Sequence, residues 1–272
     1  ASYALGHAAQ VPYFDRQLPA LLQEAFAEFA RLTGRQYDLV SSFAADKAKL
    51  LLVAQGAAIE TACAVAEHVR KVHKLKVGVV GLHGLRPFPG SALAALLKGK
   101  RTVTVLERLD TPLAGDPPLL RELRGAVDRA LENGRFAADC HPGYPVMRES
   151  ERPRLLSAIY GLGGLPLRAA DLIELCQQMD EKSASQRYLG LDFHQADTQH
   201  PKRQVMLDAL RRHYPDIAAL GLRSGEASPD MNPEGATGIA VHRLAGEAME
   251  GLALEAGSFL HQLLGGQVRS HP

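Results

Sequence analysis

The sequence predicts an α/β fold: a parallel sheet with flanking helices, followed by a second, incomplete α/β domain. Three short apolar runs carry this prediction, since none of them alternates with charged residues, as is typical of strands buried on both faces. Segments with helical spacing separate the runs, which favours consecutive βαβ units and therefore parallel pairing. The runs are residues 50–53, 77–80 and 103–106.

The segment before this block predicts an arm, a helix and a strand. Residues 1–18 are mixed in character and contain proline, so we expect an extended arm. Apolar residues spaced along 21–32 predict an amphipathic helix, with Pro19 in its first turn and Gly34 placed to end it. A short strand is expected within residues 37–43.

The segment after the block predicts a closing helix and a domain boundary. Apolar spacing predicts a helix over 119–131, and the Asn-Gly pair at 133–134 is expected to end it. Residues 137–153 contain three prolines and few periodic apolar residues, which is typical of a linker. The predicted division is a domain of residues 1–136, a linker of residues 137–153 and a partial α/β domain of residues 154–272.

The later half alternates further strands and helices. Its pattern predicts helices over 168–179 and 204–214 and a strand over 188–193. A second strand and a long helix are expected over 238–242 and 247–264. Because the last strand–helix unit is unfinished and no initiator Met opens the chain, we expect a segment of a longer protein.

The composition argues against several classes of function. With 31 basic and 30 acidic residues, the net charge is +1, so neither nucleic acid nor an anionic membrane is an expected partner. No apolar run approaches the roughly 20 residues that span a bilayer. Three separated cysteines, Cys63, Cys140 and Cys176, cannot by themselves hold a four-cysteine iron–sulfur cluster. Their use favours reduced thiols and a cytoplasmic location.

Two strand-to-helix turns are candidate binding sites. Gly56 follows the first strand at its carboxyl end, and its turn could open a helix toward a phosphate. The turn lacks the GxGxxG spacing, so a tight turn that needs glycine is the favoured interpretation. A later turn contains Arg243, Gly246 and Gly251, which could cradle an anion. Two glutamates in that turn would repel a phosphate.

Charged residues near the predicted strand ends are weaker candidates for chemistry. Arg86 lies in a loop that two prolines stiffen, and it could pair with Glu107 at the carboxyl edge of the sheet. Four carboxylates are acid/base candidates, but no nucleophile is paired with them in sequence, so solvated or capping roles are favoured. These are Asp15, Glu60, Glu107 and Asp110. The eleven histidines show no metal-binding spacing.

Five motifs, in order, resemble the second domain of pyruvate:ferredoxin oxidoreductases, members of the 2-oxoacid:acceptor oxidoreductases. No single motif is specific, but their common order is. They are AQVPYF at 9–14, TGRQYDL at 33–39, LVAQGAAIETA at 52–62, KVGVV at 76–80 with LRPF at 85–88, and VLERLDTPLAGDPPL at 105–119.

The second half resembles the family's next, gamma-type domain more loosely. IYGLG at 159–163 looks like the opening motif of that domain. Residues 238–264 stand where the family has a glycine-rich strand–turn–helix. This chain has fewer glycines there and no lysine in the turn, a departure that leaves the use of coenzyme A open.

The resemblance implies a function for the whole enzyme rather than for this segment. Such enzymes decarboxylate a 2-oxoacid such as pyruvate on thiamine diphosphate and pass electrons through 4Fe-4S clusters to ferredoxin or a similar acceptor. The family's thiamine-binding domains and cluster cysteines fall outside this segment. The resemblance therefore implies no catalytic residue here and no cofactor bound by the segment alone.

What the resemblance implies for the segment itself is a transketolase-C-terminal-like domain with a largely structural role. Its partners would be other domains or subunits of the same oxidoreductase, and we expect the segment alone to be inactive. Two alternatives stay open on sequence grounds. One is a stand-alone nucleotide- or coenzyme-A-binding module at the Gly56 turn, and the other is a non-catalytic scaffold protein.

Overall fold

The computed structural model describes residues 2–180, 185–195 and 200–231, and there it places seven strands in one sheet. In chain order, the strands are β1 (Val40–Phe43), β2 (Leu50–Gln55), β3 (Val77–Leu82), β4 (Thr102–Glu107), β5 (Arg154–Ile159), β6 (Gln186–Leu189) and β7 (Gly221–Leu222). Across the sheet, their order is β1-β3-β2-β4-β5-β6-β7. Every neighbouring pair is parallel except β1 with β3, which confirms the predicted α/β fold.

Helices cover both faces of the sheet. In chain order, they are α1 (Ser2–Arg16), α2 (Leu18–Thr33), α3 (Ala58–Lys71), α4 (Gly90–Leu97), α5 (Pro118–Arg135), α6 (Ala169–Gln178), α7 (Pro201–His213) and α8 (Pro215–Ala218). The apolar residues of α4 and α5 share one buried cluster with the sheet, and those of α3 and α6 share the other. The sheet is therefore the middle layer of three.

The central strands β2, β3 and β4 are buried on both faces, as their apolar runs predict. Successive side chains of a strand point to opposite faces. Leu51 and Val53 accordingly join the cluster with α4 and α5, whereas Leu50 and Leu52 join the cluster with α3 and α6. Each buried leucine contributes about 2 kcal/mol, so the apolar side chains of these runs stabilise the packing of both helical layers.

Two features of strand arrangement are not visible in the apolar runs. β1 lies antiparallel to β3 at the edge of the sheet, and most of its residues are exposed. It confirms the short strand expected within residues 37–43. The second feature is the position of β2 between β3 and β4. Strands that follow one another along the chain, β3 and β4, are thus not neighbours in the sheet.

The sheet continues across the segment predicted to be a linker. Residues 137–153 connect α5 to β5, and β5 pairs with β4 from Thr102 opposite Arg154 to Glu107 opposite Ile159. Residues 154–231 therefore extend the first sheet instead of opening a second one, because β5 pairs with the free edge of β4. Prolines and glycines indicate a loop, but they do not show whether that loop connects two elements of one domain or two separate domains. The expectation for residues 232–272 lies outside the described residues.

The extended arm predicted for residues 1–18 is wrong. Residues Ser2–Arg16 form α1, which continues through Pro12 and lies against α2. A proline removes only one backbone hydrogen bond, and the mixed composition of residues 1–18 does not by itself distinguish a helix from an extended arm. The helix predicted after residue 18 is confirmed as α2, and Gly34 ends it in a left-handed conformation with φ of 71°.

The end predicted for the closing helix is also wrong. The helix α5 spans Pro118–Arg135 and passes through Asn133 and Gly134. A Cβ on Gly134 would clash with the backbone carbonyl oxygen of Met147. The glycine thus permits a close approach of two backbones within the fold and does not terminate the helix.

Some of the elements predicted for the later half of the chain fall on described residues, and others do not. The helices expected over 168–179 and 204–214 are present as α6 and α7, and β6 covers the start of the strand expected over 188–193. The strand expected over 238–242 and the helix expected over 247–264 lie outside the described residues.

Candidate functional site

Loops that follow four parallel strands meet at the carboxyl edge of the sheet, where ligands of open α/β sheets usually lie. After β2, Gly56 adopts a φ of 57°, a left-handed conformation that glycine accepts without strain. A Cβ on Gly56 would meet no atom within 4 Å. Gly56 therefore lies in an exposed turn with open space in front of it, and its backbone conformation accounts for the glycine.

Glu107, the last residue of β4, caps the amino end of α5. Its Oε1 accepts the N–H of Leu119 at 2.7 Å, and its Oε2 accepts the N–H of Leu120 at 3.1 Å. Because α5 begins at Pro118 without a side-chain cap at Pro117, this carboxylate satisfies two N–H groups that the helix leaves free. Burial raises the pKa of the Glu107 carboxyl, although both hydrogen bonds act to lower it. The favoured capping role is confirmed for Glu107.

Arg86 pairs with a different carboxylate from the one expected. Its Nη2 donates to Oε1 of Glu122 in α5 at 2.8 Å, and its Nη1 donates to the carbonyl of Leu85 at 2.6 Å. The expected pairing of Arg86 with Glu107 is wrong because β2 separates β3 from β4. Residues that follow these strands start about 10 Å apart, twice the spacing of neighbouring strands.

The loop after β4 contacts both strand β6 and the loop after β5. The hydroxyl of Tyr188 in β6 donates to Oδ2 of Asp110 at 3.1 Å. Burial raises the pKa of Tyr188, and the Asp110 carboxylate adds to the effect. The side chain of Arg108 lies over Gly161, where a Cβ would come within 2.8 Å of the Arg108 Cγ. The hydrogen bond between Tyr188 and Asp110 thus connects the loop after β4 to β6 at this edge of the sheet.

An open groove of about 1380 Å³ runs between α1 and α2 on one side and α4, α5 and the loop after β3 on the other. Its volume exceeds the roughly 300–1,000 Å³ of ordinary small-molecule pockets. Arg86 and Glu122 lie in it, whereas Gly56 is not among its lining residues. Its apolar lining includes Phe14, Leu18, Leu39, Val40, Phe88 and Leu96.

One wall of the groove is held by a buried asparagine. Nδ2 of Asn133 donates to the carbonyls of His141 at 3.1 Å and Tyr144 at 3.0 Å, while its Oδ1 accepts the N–H of His141 at 2.7 Å. The guanidinium of Arg129 lies 5.7 Å from the centre of the Tyr144 ring. Sequence reasoning missed Asn133, which it assigned to a helix end.

A serine–histidine contact was also missed by sequence reasoning. Nε2 of His83 lies 2.9 Å from Oγ of Ser41, which ties the carboxyl end of β3 to the edge strand β1. Both residues are exposed. The two positions are far apart in sequence, and only the antiparallel pairing of their strands brings them together.

A second buried carboxylate lies in the first turn of α6. Oδ1 of Asp171 accepts the N–H of Ser224 at 2.8 Å and lies 3.4 Å from Nη1 of Arg168. Arg168 also donates to the carbonyls of Ser224 and Glu226. This network fastens the segment after β7 to α6. In the described ranges, no group of three or more histidine, cysteine, aspartate or glutamate residues could hold a metal ion.

Cys63 and Cys176 are not activated nucleophiles. Burial raises the pKa of Cys176 to about 12 and also raises that of the half-buried Cys63. A raised pKa disfavours the reactive thiolate at neutral pH. Cys140 is exposed and free. None of the helices in the described part of the chain is both long and apolar enough to cross a membrane.

Of the remaining candidate site residues, only one has a side chain that the structure describes. Glu60 is exposed in the first turn of α3, where negative charge favours a helix amino end. Arg243, Gly246 and Gly251 lie outside the described residues, and so does the side chain of Asp15. Of these candidates, only the side chain of Glu60 is described, and it lies in the first turn of the helix that follows the Gly56 turn.

Comparison with known families matches the central block of the sheet. Residues 48–140 match the family model of the pyruvate:ferredoxin oxidoreductase core domain II. This segment contains β2, β3 and β4 with α3, α4 and α5. The resemblance that the motifs indicated is thereby confirmed over these residues, whereas the looser likeness of the later residues to a gamma-type domain stays a prediction.

Curated relatives carry related names. The pyruvate synthase subunit PorA of Thermotoga maritima is 27% identical over 192 residues, which is 70% of this chain and 44% of the relative. The pyruvate-flavodoxin oxidoreductase of Rhodospirillum rubrum is 32% identical over 160 residues, 56% of this chain and 13% of the relative. PorA of Methanothermobacter thermautotrophicus is 25% identical over 171 residues, which is 63% of this chain and 38% of the relative. The chain thus spans less than half the length of these relatives.

Proposed function

We propose that this chain supplies the core domain II of a 2-oxoacid:acceptor oxidoreductase and acts there as a structural and contact element. The whole enzyme would oxidatively decarboxylate a 2-oxoacid such as pyruvate and pass the electrons to ferredoxin or a similar acceptor. The match of residues 48–140 to the family's core domain II carries this proposal.

The use of polar groups at the carboxyl edge supports a structural role. Glu107 caps α5, Arg86 pairs with Glu122, and Asp110 accepts the hydroxyl of Tyr188. Each of these candidates for chemistry is already engaged by the fold. The cofactors are therefore proposed to lie elsewhere in the enzyme: thiamine diphosphate and 4Fe-4S clusters on other domains or subunits, in a cytoplasmic assembly.

An exposed apolar stripe on α2 supports a contact role. Leu21 is 50% exposed, Phe29 41% and Leu32 67%, although the helix is amphipathic and α1 lies against it. These residues recur at helical spacing, and the ring of Tyr37 lies 5.5 Å from that of Phe29. Contiguous apolar surface of this kind marks protein–protein contact. We assign the stripe to other domains or subunits of the same oxidoreductase.

The assembly itself tests the proposal. The tagged chain is purified from its native host together with whatever accompanies it, and pyruvate-dependent reduction of a viologen dye is measured for the assembly and for the chain alone. We expect turnover by the assembly and none by the chain alone. Turnover by the chain alone would exclude a purely structural role, and an assembly inactive with every 2-oxoacid tried would refute the enzyme class.

A pair of matched variants tests the α2 stripe. Leu21→Ser with Phe29→Ser is expected to reduce the amount of co-purified partner, because two apolar contacts are lost from the interface. Val205→Ser with Met206→Ser on α7 is the control, since those side chains are 69% and 53% exposed. Equal recovery of partner with both variants would remove the stripe from the proposed interface.

The open space before Gly56 favours one other candidate, a nucleotide- or coenzyme-A-binding module. The exposed turn precedes the amino end of α3, where backbone N–H groups attract phosphate. The carboxylate of Glu60 in that first turn opposes this. Calorimetry with NADH, ATP and coenzyme A distinguishes the candidates, because micromolar binding abolished by Gly56→Val would favour the module.

A further inference from the structure

Cations lie side by side at the amino edge of the sheet, opposite the candidate site. Lys49, Lys76 and Arg101 immediately precede β2, β3 and β4, respectively. The register pairs Leu50 with both Val77 and Thr102, so the residues one position earlier are also neighbours. Neighbouring strands are about 4.8 Å apart. The three exposed side chains therefore start from a row roughly 10 Å long.

Two loops add further positive charge beside this row. Residues 45–49 and 98–101 contain five lysines and arginines and one aspartate. The loops touch, since Nζ of Lys100 donates to the carbonyl of Ala45 at 2.6 Å and Nζ of Lys49 donates to that of Gly99 at 3.4 Å. We call Lys47, Lys49, Lys76, Lys98, Lys100 and Arg101 the basic edge.

Among the residues that the structure describes, acidic side chains compensate the basic edge only in part. Arg101 pairs with Asp180, and Lys98 lies 3.5 Å from Glu151. The pKa of Lys100 is lowered, first by burial and then by the charge of Lys49, so the cations repel one another. Like charges opposite each other on neighbouring strands are destabilising. The chain has a net charge of only +1, so positive charge is concentrated at this edge by the fold.

We propose that the basic edge docks the acidic face of a partner protein. An open row of cations suits a complementary anionic surface, since charge complementarity directs association and fixes register. Small anions are bound where donors converge, whereas Lys49, Lys76 and Arg101 start from separate neighbouring strands. Single-stranded nucleic acid is usually held by aromatic stacking as well as charge, and residues 45–49, 72–76 and 98–101 contain no Phe, Tyr or Trp. The proposal does not depend on the enzyme class proposed above.

Charge-reversal variants of the full chain test the docking surface. Binding of fluorescently labelled poly-L-glutamate is measured by anisotropy at low and at high ionic strength. We expect Lys49→Glu with Lys76→Glu to weaken binding about tenfold at low ionic strength, and salt to weaken binding to the unchanged chain. The control is Lys202→Glu with Arg212→Glu on the exposed side of α7, which changes the net charge equally. The control is expected to bind within about twofold of the unchanged chain.

Three outcomes would overturn the proposal. Equal weakening by both double variants would mean that net charge alone governs binding. Failure of the unchanged chain to bind poly-L-glutamate would exclude an acidic partner. Tighter binding of a single-stranded RNA than of poly-L-glutamate, lost only in the first variant, would assign the edge to nucleic acid. Thermal unfolding checks the fold, and Lys49→Gln with Lys76→Gln, expected to weaken binding less, repeats the test without introducing new charges.

Discussion

Glu107 occupies a position that suggests catalysis, but its carboxylate has a structural role. Its position at the end of a parallel strand is typical of a catalytic carboxylate. The helix that follows begins with Pro117 and Pro118 and has no side-chain cap of its own. Glu107 supplies that cap from twelve residues away. In α5 the cap therefore comes from a residue distant in sequence and not from the helix's own first turn.

Glu107→Ala is expected to lower the free energy of unfolding by about 1–2 kcal/mol, because the N–H groups of Leu119 and Leu120 lose their acceptor. Glu107→Gln keeps one oxygen acceptor and is expected to cost less. Urea unfolding of the three proteins at neutral pH measures both changes. Equal stability of the alanine variant and the unchanged protein would contradict the capping role.

The ionisation of Glu107 also predicts a pH dependence. Burial raises the pKa of its carboxyl in the folded protein, whereas the unfolded chain keeps a value near 4.3. The folded state therefore binds the proton more tightly, and this stabilisation is complete below the unfolded pKa and is lost as pH rises through the folded pKa. The difference in unfolding free energy between the unchanged protein and Glu107→Gln should fall over that range. A difference that rises with pH would contradict the assigned shift.

At the scale of elements, α5 shows two glycines with opposite roles. Gly134 faces the carbonyl of Met147 so closely that a Cβ would clash, whereas a Cβ on Gly125 would meet no atom within 4 Å. Both lie within Pro118–Arg135. Helix propensity treats them alike once both lie inside the helix, since an interior glycine lowers helix stability wherever it occurs. Contact with the segment that leads to β5 distinguishes them.

Alanine at each glycine of α5 measures this difference. Gly134→Ala is expected to lower the free energy of unfolding by about 1–3 kcal/mol, because the backbone at Met147 must move. Gly125→Ala is expected to raise it by about 0.5–1 kcal/mol through helix propensity and reduced freedom of the unfolded chain. Thermal and urea unfolding of both variants check the signs. Stabilisation by both would show that the close approach is absent.

At the scale of the whole molecule, the continuous sheet decides which residues fold together. The edge of β4 is covered by β5 along its length. Leu172, Leu175 and Cys176 of α6 share a buried cluster with Ala62 and Ala66 of α3. The described residues between 154 and 222 therefore complete the same core that the preceding strands and helices begin.

A chain that ends at residue 153 is expected to lose cooperative unfolding, because the truncation exposes the edge of β4 and removes part of one buried cluster, including Leu172, Leu175 and Cys176. Circular dichroism and calorimetric melting of this truncated chain, beside the full chain, measure the effect. A sharp transition in the truncated chain, at a temperature near that of the full chain, would support the predicted domain division at residues 137–153.

The sequence by itself determined the parallel centre of the fold and its family likeness. Uninterrupted runs such as residues 50–53 can only be buried on both faces, and this property is local to each run. The order of motifs along residues 9–119 pointed to the family before any contact was known. Helices with apolar spacing, such as α2, were likewise predictable because their apolar residues recur at the helical period along the sequence.

Only the tertiary structure decided how these pieces meet. Strand order separates Arg86 from Glu107, pairing brings His83 to Ser41, and register lines up Lys49 with its neighbouring cations. The physical reason is that strand pairing depends on hydrogen bonds between residues distant in sequence, whereas apolar spacing records only the burial of each segment. The candidate site and the basic edge both arise from that pairing.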